Sequence, residues 1–175
     1  MADGKNGLGV GLCVIWVALL MPYAPGHLMP LLAVMLVALA VTAGFNLAGR
    51  VFLGDSGTYS ISVTIGVLTV YVYNVNFSAL HADIVALWFL IPVVDALRLI
   101  LYRIMSGRSP FSSDSFHFHH LLEKLMPWRW GLVVYLTLVA APGIAARLAP
   151  DWTILWAASG LAIYGAVVSA NHWDA

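Results

Sequence analysis

Long uncharged stretches, separated by short polar segments, dominate the pattern along this chain. Charged side chains are absent from Leu8 to Gly49 and again from Ser56 to Ala82. A helix needs roughly 20 apolar residues to cross about 30 Å of hydrocarbon. Prolines at positions 22, 25 and 30 divide the first stretch into two. The pattern therefore predicts six membrane-spanning helices, near residues 8–22, 28–47, 57–76, 83–102, 130–148 and 152–171.

Composition supports this interpretation and narrows the class of protein. The chain has 175 residues, of which 62% are hydrophobic and 9% charged, and its mean hydropathy is +0.91. Soluble domains carry about 25% charged residues, so a soluble globular protein is excluded. The net charge is zero, which argues against binding of nucleic acid. We predict an all-α, polytopic integral membrane protein with a single transmembrane domain over residues 1–175.

The basic residues predict how the helices are oriented. Lys and Arg in short loops are found mostly on the cytoplasmic side. If Lys5 is cytoplasmic, alternation of six helices places seven of the eight basic residues on that side and leaves Arg147 on the other. Both termini and the polar 103–129 loop are then cytoplasmic. Any chemistry is expected at this face.

Two short motifs near the start of the chain are candidate binding segments. The first is DGKNGL, in which glycines permit close approach of a ligand while Asp3 and Asn6 offer oxygen atoms. The second is VFLGDSG, in which Asp55 lies between glycines and can bind a hard divalent cation, and Phe52 can stack on a base. The alternatives are a flexible polar terminus for the first motif, and simple capping of a helix by Asp55 or Ser56 for the second.

The third candidate segment contains an ionisable pair. Asp95 and Arg98 are three residues apart and share one face of a predicted helix. Ionisable residues at membrane depth favour a functional role. The alternative is an arginine that extends to the membrane surface with Asp95 as its partner.

Basic residues and histidines follow this pair along the chain. Imidazole and guanidinium groups can donate to phosphate oxygens, and imidazole can also accept a proton. A zinc site is not expected, because no thiol is available in this segment. If these groups face Asp55 across a cytoplasmic groove, they would suit a diphosphate with its Mg²⁺. The candidate substrate-binding residues here are Arg108, His117, His119 and His120.

The three segments, in this order, resemble the polyprenyl-phosphate N-acetylhexosamine-1-phosphate transferases, which are polytopic bacterial enzymes that begin cell-wall and surface glycans. The third segment reads PVVDALRLILYRIMSGRSPFSSDSFHFHH, and the resemblance runs from residue 1 to about 125. It implies transfer of a sugar 1-phosphate from a UDP-N-acetylhexosamine to undecaprenyl phosphate, with release of UMP. It also implies a location in the bacterial inner membrane. The identity of the sugar and a dimeric state are left open.

The resemblance also implies residue roles. Asp3 matches a catalytically needed aspartate, and Asn6 stands where many members have a second aspartate. Asp55 matches an aspartate that is catalytic and binds Mg²⁺, with Mn²⁺ as an alternative. Phe52 matches a phenylalanine that stacks on uracil. The histidines at 117, 119 and 120 match phosphate-contacting residues.

Length is the main departure from that family, whose members are about twice as long. Their DDxxK segment has no counterpart in this chain, and Met1 falls partway through the first motif. We therefore expect the C-terminal half of a larger transferase fold, inactive when expressed alone. A fragment, a misassigned start and a remnant gene all remain open.

Other functional classes fit the sequence less well. The GDSG segment and six spans resemble a rhomboid-like serine protease, but Ser56 would need a histidine in a neighbouring span as its base. His27 and His81 lie at helix ends on the opposite face. A channel or transporter would have only Asp95 and Arg98 within the membrane. A degenerate, non-catalytic membrane protein is the stronger alternative.

Overall fold

The computed structural model describes residues 6–110, 112 and 116–171, and all regular structure in these ranges is helical. We number the α-helices in chain order. They are α1 (Leu8–Leu20), α2 (Met29–Leu47), α3 (Gly54–Val75), α4 (Ala82–Met105), α5 (Phe118–Leu125), α6 (Trp128–Leu148) and α7 (Thr153–Ala170).

The prediction of an all-α polytopic membrane protein is confirmed. Five helices (α2, α3, α4, α6 and α7) are long and apolar enough to cross a membrane, and each overlaps a predicted span. The first predicted span is a shorter apolar helix, Leu8–Tyr23, in which α1 is followed by one 3₁₀ turn. The 103–129 segment was predicted as a loop, and within it the structure has the two-turn helix α5.

The chain forms two compact units, divided between Val85 and Ala86. In the N-terminal unit, α1 packs against both α2 and α3. Its buried face meets apolar side chains of the other two helices, as expected where three apolar helices pack together. The buried apolar residues of this unit include Leu12, Val17, Leu32, Leu39, Ile65 and Val72.

The C-terminal unit contains most of α4, together with α5, α6 and α7, and α5 contacts both α6 and α7. Gly143 of α6 packs directly against the indole of Trp88, and a Cβ atom at position 143 would clash with that ring. The ring of Phe118 at the start of α5 lies 5.5 Å from that of Tyr135 and 4.8 Å from that of Tyr164. These aromatic contacts fix where α5 begins.

Candidate functional site

Asn46 connects two of the predicted motifs within the N-terminal unit. Its side chain is buried near the end of α2. The Gly7 N–H donates to Asn46 Oδ1 at 2.6 Å, and Asn46 Nδ2 donates to the Val51 carbonyl at 2.8 Å. The Asn46 amide therefore provides a hydrogen-bond acceptor for the backbone at the start of α1 and a donor for the backbone of the α2–α3 connection.

Asn6 lies against this same connection. Gly49 has φ +68°, a left-handed conformation that suits glycine, and a Cβ atom there would lie 3.5 Å from Asn6 Nδ2. The structure therefore brings Asn6 and Gly7, the described part of the first motif, close to the start of VFLGDSG. Asp3 was predicted to belong to this site, and it lies outside the described residues.

Asp55 and Phe52 are both exposed beside this junction. Gly54 begins α3 with φ +63°, and Asp55 lies in the first turn and is exposed. Leu53 occupies the N-cap position, and no side chain caps the helix. The capping alternative for Asp55 and Ser56 is therefore wrong. Phe52 is 64% exposed, so its ring is open to a ligand.

A buried carboxylate organises the C-terminal unit. Asp95 of α4 is 5% exposed. Its Oδ1 accepts from Arg98 Nη2 at 2.8 Å and from the Tyr164 hydroxyl at 3.0 Å. Its Oδ2 lies 3.2 Å from His117 Nδ1 and 3.1 Å from the backbone nitrogen of Phe118, which donates to it. Asp95 therefore joins α4 and α7 to the histidine segment.

Arg98 extends this network to α7 and to the segment before α5. Its Nε donates to the Tyr164 hydroxyl at 2.7 Å, and its Nη2 donates to the Phe116 carbonyl as well as to Asp95. The guanidinium thus has three partners within the unit. The alternative of an arginine that reaches the membrane surface with Asp95 as its partner stays open. Sequence reasoning identified the Asp95–Arg98 pair, but not its connection to the histidines.

The three histidines lie together at the start of α5, in different environments. The rings of His117 and His119 are stacked with centroids 5.6 Å apart, and those of His119 and His120 are 4.2 Å apart. His119 is 4% exposed, and its Nε2 has no hydrogen-bond partner among the described residues. Burial, followed by the neighbouring His120 and His117, lowers the pKa of His119 to about 3. His119 is therefore neutral at physiological pH.

Two arginines lie near the end of α4. Arg103 Nη1 donates to the Pro110 carbonyl at 2.7 Å, which holds the turn after the helix. Arg108 follows in that turn and is exposed. The structure thus places Asn6, Phe52 and Asp55 in one unit and the three histidines in the other. The predicted groove between Asp55 and the histidines stays a prediction.

Asn46 and Tyr164 are two residues that sequence reasoning missed as organising groups. Asn46 is an amide at the end of an apolar span, which is a usable signal for a buried polar contact. Tyr164 is 69 positions from Asp95, and nothing in the spacing indicated their contact.

The histidines near the GDSG segment have other partners than Ser56. His27 Nε2 lies 3.1 Å from the Tyr71 hydroxyl, and His81 Nε2 lies 3.1 Å from the Ser78 carbonyl. No described histidine forms a hydrogen bond with Ser56. A serine–histidine pair of the protease type is therefore not formed by the described residues.

Comparisons with known proteins agree with the resemblance seen in the motifs. The family model for glycosyl transferase family 4 matches residues 1–73. The undecaprenyl-phosphate alpha-N-acetylglucosaminyl 1-phosphate transferase of Yersinia pestis is 32% identical, over 89% of this chain and 47% of its own length. The protein of the same name from Escherichia coli (strain K12) is 29% identical, over 87% of this chain and 40% of its own.

A mycobacterial protein gives a similar result. The decaprenyl-phosphate N-acetylglucosaminephosphotransferase of Mycolicibacterium smegmatis is 32% identical, over 70% of this chain and 36% of its own length. The chain thus spans about half the length, or less, of these curated relatives. No solved structure matches the chain significantly.

Proposed function

We propose, because this chain belongs to glycosyl transferase family 4, that it supplies nucleotide- and phosphate-binding groups for transfer of N-acetylhexosamine 1-phosphate. The donor is a UDP-sugar, and the acceptor is undecaprenyl phosphate. An acceptor phosphate oxygen attacks the sugar-bearing phosphorus, the diphosphate bond breaks, and UMP leaves. The observation that carries the proposal is the junction at Asn46, where two motifs of the N-terminal unit meet.

The nucleoside end of the donor is assigned to the N-terminal unit. The exposed ring of Phe52 offers a flat apolar surface for stacking with uracil. Asn6 lies beside the same connection and offers both an amide donor and an amide acceptor. We assign these two side chains to binding and orienting the base.

Asp55 is the residue of the described chain that we assign to Mg²⁺, or to Mn²⁺ in its place. Its carboxylate is exposed, and it makes no hydrogen bond or ion pair with another described residue. Mg²⁺ is commonly bound through one or two carboxylates together with substrate phosphates and waters, so one exposed carboxylate can contribute to its site. The ion would neutralise charge on the diphosphate.

The histidine cluster and Arg108 are assigned to the phosphates. Phosphoryl transfer depends mainly on positioning and on neutralising the charge of the transferred group. Imidazole N–H groups and an exposed guanidinium are suitable donors for phosphate oxygens. We place this site at the cytoplasmic face of a bacterial inner membrane, where the product would begin a cell-wall or surface glycan.

Binding of UDP-N-acetylglucosamine to the full chain in lipid nanodiscs, measured with and without Mg²⁺, tests the proposal. We expect Mg²⁺ to increase the affinity, and Asp55→Asn to remove that increase. Loss of a charged contact corresponds to a change in affinity of about 10-fold or more. Asp151→Asn is the matched control, because Asp151 is also exposed and lies in the turn before α7.

The contribution of Phe52 is tested in the same assay. Phe52→Ala should weaken binding by about 1–3 kcal/mol, the usual contribution of one stacked base. Phe77→Ala is the control, since Phe77 is 68% exposed and lies between α3 and α4. Wild-type affinity and Mg²⁺ dependence in both Asp55→Asn and Phe52→Ala would contradict the proposal.

A further inference from the structure

Asp95 faces the histidine cluster with an oxygen that can only accept hydrogen bonds. Its carboxylate lies next to the Arg98 guanidinium, the Tyr164 hydroxyl and the Phe118 backbone N–H. A carboxylate surrounded by donors and paired with a guanidinium is ionised, and it then has no proton to give. The His117 Nδ1 atom, 3.2 Å from Asp95 Oδ2, must therefore carry the proton of this hydrogen bond.

We infer that Asp95 is a positioning residue for His117, and that it selects His117 as the histidine of the cluster that contacts a phosphate or diphosphate. The contact fixes the tautomer with hydrogen on Nδ1, so that Nε2 is the basic nitrogen of the neutral ring. When Nε2 also carries a hydrogen, it can donate to an oxygen of a phosphate or diphosphate. The identity of this ligand rests on the proposed function, whereas the tautomer rests on the geometry of Asp95 alone.

Among the residues that the structure describes, neither His119 nor His120 makes an equivalent contact with a buried carboxylate. His119 is buried, and its Nε2 has no partner among the described residues, which favours the uncharged ring. His120 Nδ1 lies 3.9 Å from Glu123 Oε2, beyond hydrogen-bonding distance, and the Glu123 side chain is 39% exposed. Each of the three adjacent histidines therefore has a different chemical environment.

The two oxygens of Asp95 have different partners, which makes an asparagine substitution informative. The side-chain donors Arg98 and Tyr164 are both on Oδ1, whereas Oδ2 is the atom that contacts His117. The Phe118 N–H lies 3.2 Å from Oδ1 and 3.1 Å from Oδ2, so it is shared by the two oxygens and can stay with Oδ1. In Asp95→Asn, the amide oxygen should stay with the two donors, and the amide NH₂ should then face His117. His117 Nδ1 would have to accept, so the ring should change to the tautomer with hydrogen on Nε2. A similar exchange of carboxylate for amide at a catalytic histidine is known to invert the tautomer elsewhere.

Nitrogen NMR of ¹⁵N-histidine-labelled full chain in lipid bilayers at pH 8 tests this inference. The His117 signals are assigned by their loss in His117→Gln. We expect a protonated Nδ1 in the wild type and a protonated Nε2 in Asp95→Asn. Tyr164→Phe is the control, because it removes a hydrogen bond from Oδ1 and leaves the Oδ2 contact; its His117 should keep the wild-type tautomer.

The wild-type spectrum is decisive even if a variant fails to fold. A protonated Nε2 on His117 in the wild type would overturn the inference, as would an unchanged tautomer in folded Asp95→Asn. Addition of inorganic pyrophosphate should shift the Nε2 signal of His117 more than the signals of His119. A larger shift at His119 would overturn the selection of His117.

The proposed role of Asp95 and the proposed function can be contradicted independently of each other. Absence of UDP-N-acetylglucosamine binding, with the expected His117 tautomer, would contradict the proposed donor and leave the role of Asp95 standing. Normal Mg²⁺-dependent binding with the opposite tautomer would remove the role of Asp95 alone.

Discussion

Each of the two units is organised around one buried polar side chain, and the two side chains differ in charge. Asn46 uses a neutral amide to join two backbone groups, Gly7 N–H and the Val51 carbonyl. Asp95 uses an ionised carboxylate to join a guanidinium, a phenol, a backbone N–H and an imidazole. The Asn46 amide fixes the path of the main chain. The Asp95 carboxylate also determines which ring nitrogen of His117 carries the hydrogen.

This difference matches what the neighbouring residues are proposed to do. In the N-terminal unit, Phe52 and Asp55 are exposed, and they need only a rigid loop that presents them. In the C-terminal unit, the histidines need a defined orientation and a defined proton position, which a main-chain contact alone would not give. The neutral Asn46 amide is sufficient to hold a loop that exposes Phe52 and Asp55. The charged Asp95 carboxylate is needed where the tautomer of a histidine has to be fixed.

The largest effect is expected when the charged connection is removed. Asp95→Leu leaves the Arg98 charge without its carboxylate and removes the acceptor of the Tyr164 hydroxyl and the Phe118 N–H. Breaking a buried ion pair on one side typically costs about 3–5 kcal/mol. Denaturant titration of the chain in detergent micelles measures this loss. Asp151→Leu, at an exposed position, should change stability little, and equal losses in the two variants would contradict the central role of Asp95.

A smaller effect is expected when the neutral connection is removed. Asn46→Ala leaves a buried backbone N–H at Gly7 without its acceptor, and it removes the donor to the Val51 carbonyl. Such groups cost about 1–3 kcal/mol when left unsatisfied. The same titration applies, with Asn74→Ala on the exposed surface of α3 as the control. A loss in Asn46→Ala as large as that in Asp95→Leu would remove the contrast between the two units.

The smallest effect concerns pH and the buried histidine. The pKa of His119 is about 3 in the folded chain, below its ordinary value of 6.5. The unfolded chain therefore binds the proton first, and stability decreases as pH falls below about 6.5. Relative to pH 8, this histidine should cost about 1.4 kcal/mol at pH 5.5.

Comparison of unfolding at the two pH values in the wild type and in His119→Asn isolates this contribution. Asp95, His117, His120 and the chain's amino terminus are the charged or titratable groups acting on His119, and all of them are kept in the variant. The variant should lose less stability on acidification than the wild type. Equal losses would show that His119 is accessible to protons in the folded chain.

The transmembrane helices could be predicted from the sequence because their uncharged runs approach the thickness of a bilayer. Helix α5 was missed because its eight residues lie in a polar segment, although Phe118, Leu121 and Leu122 recur at helical spacing and are buried. The count of long spans differs because α1 has 13 residues and continues as a single 3₁₀ turn. The length of an uncharged run therefore predicted the long spanning helices well and the short helices α1 and α5 poorly.

Candidate site residues could be found from their type, whereas their partners could not. Glycine-flanked Asp55 and the three adjacent histidines have recognisable chemistry in the sequence. The contact between Asp95 and Tyr164 depends on the packing of α7 against the rest of its unit, and no local pattern contains that information. Sequence identified the reactive groups, and packing determined which of them are oriented.

The contacts of Phe118 make α7 part of the support of the histidine segment. Phe118 is held by two contacts: its N–H donates to Asp95, and its ring packs against Tyr164. Tyr164 itself donates to Asp95. Helix α5 is only two turns long, so these contacts at its first residue connect the whole histidine segment to α7. Helix α7 contains no candidate site residue, yet through Tyr164 it helps to orient the histidines.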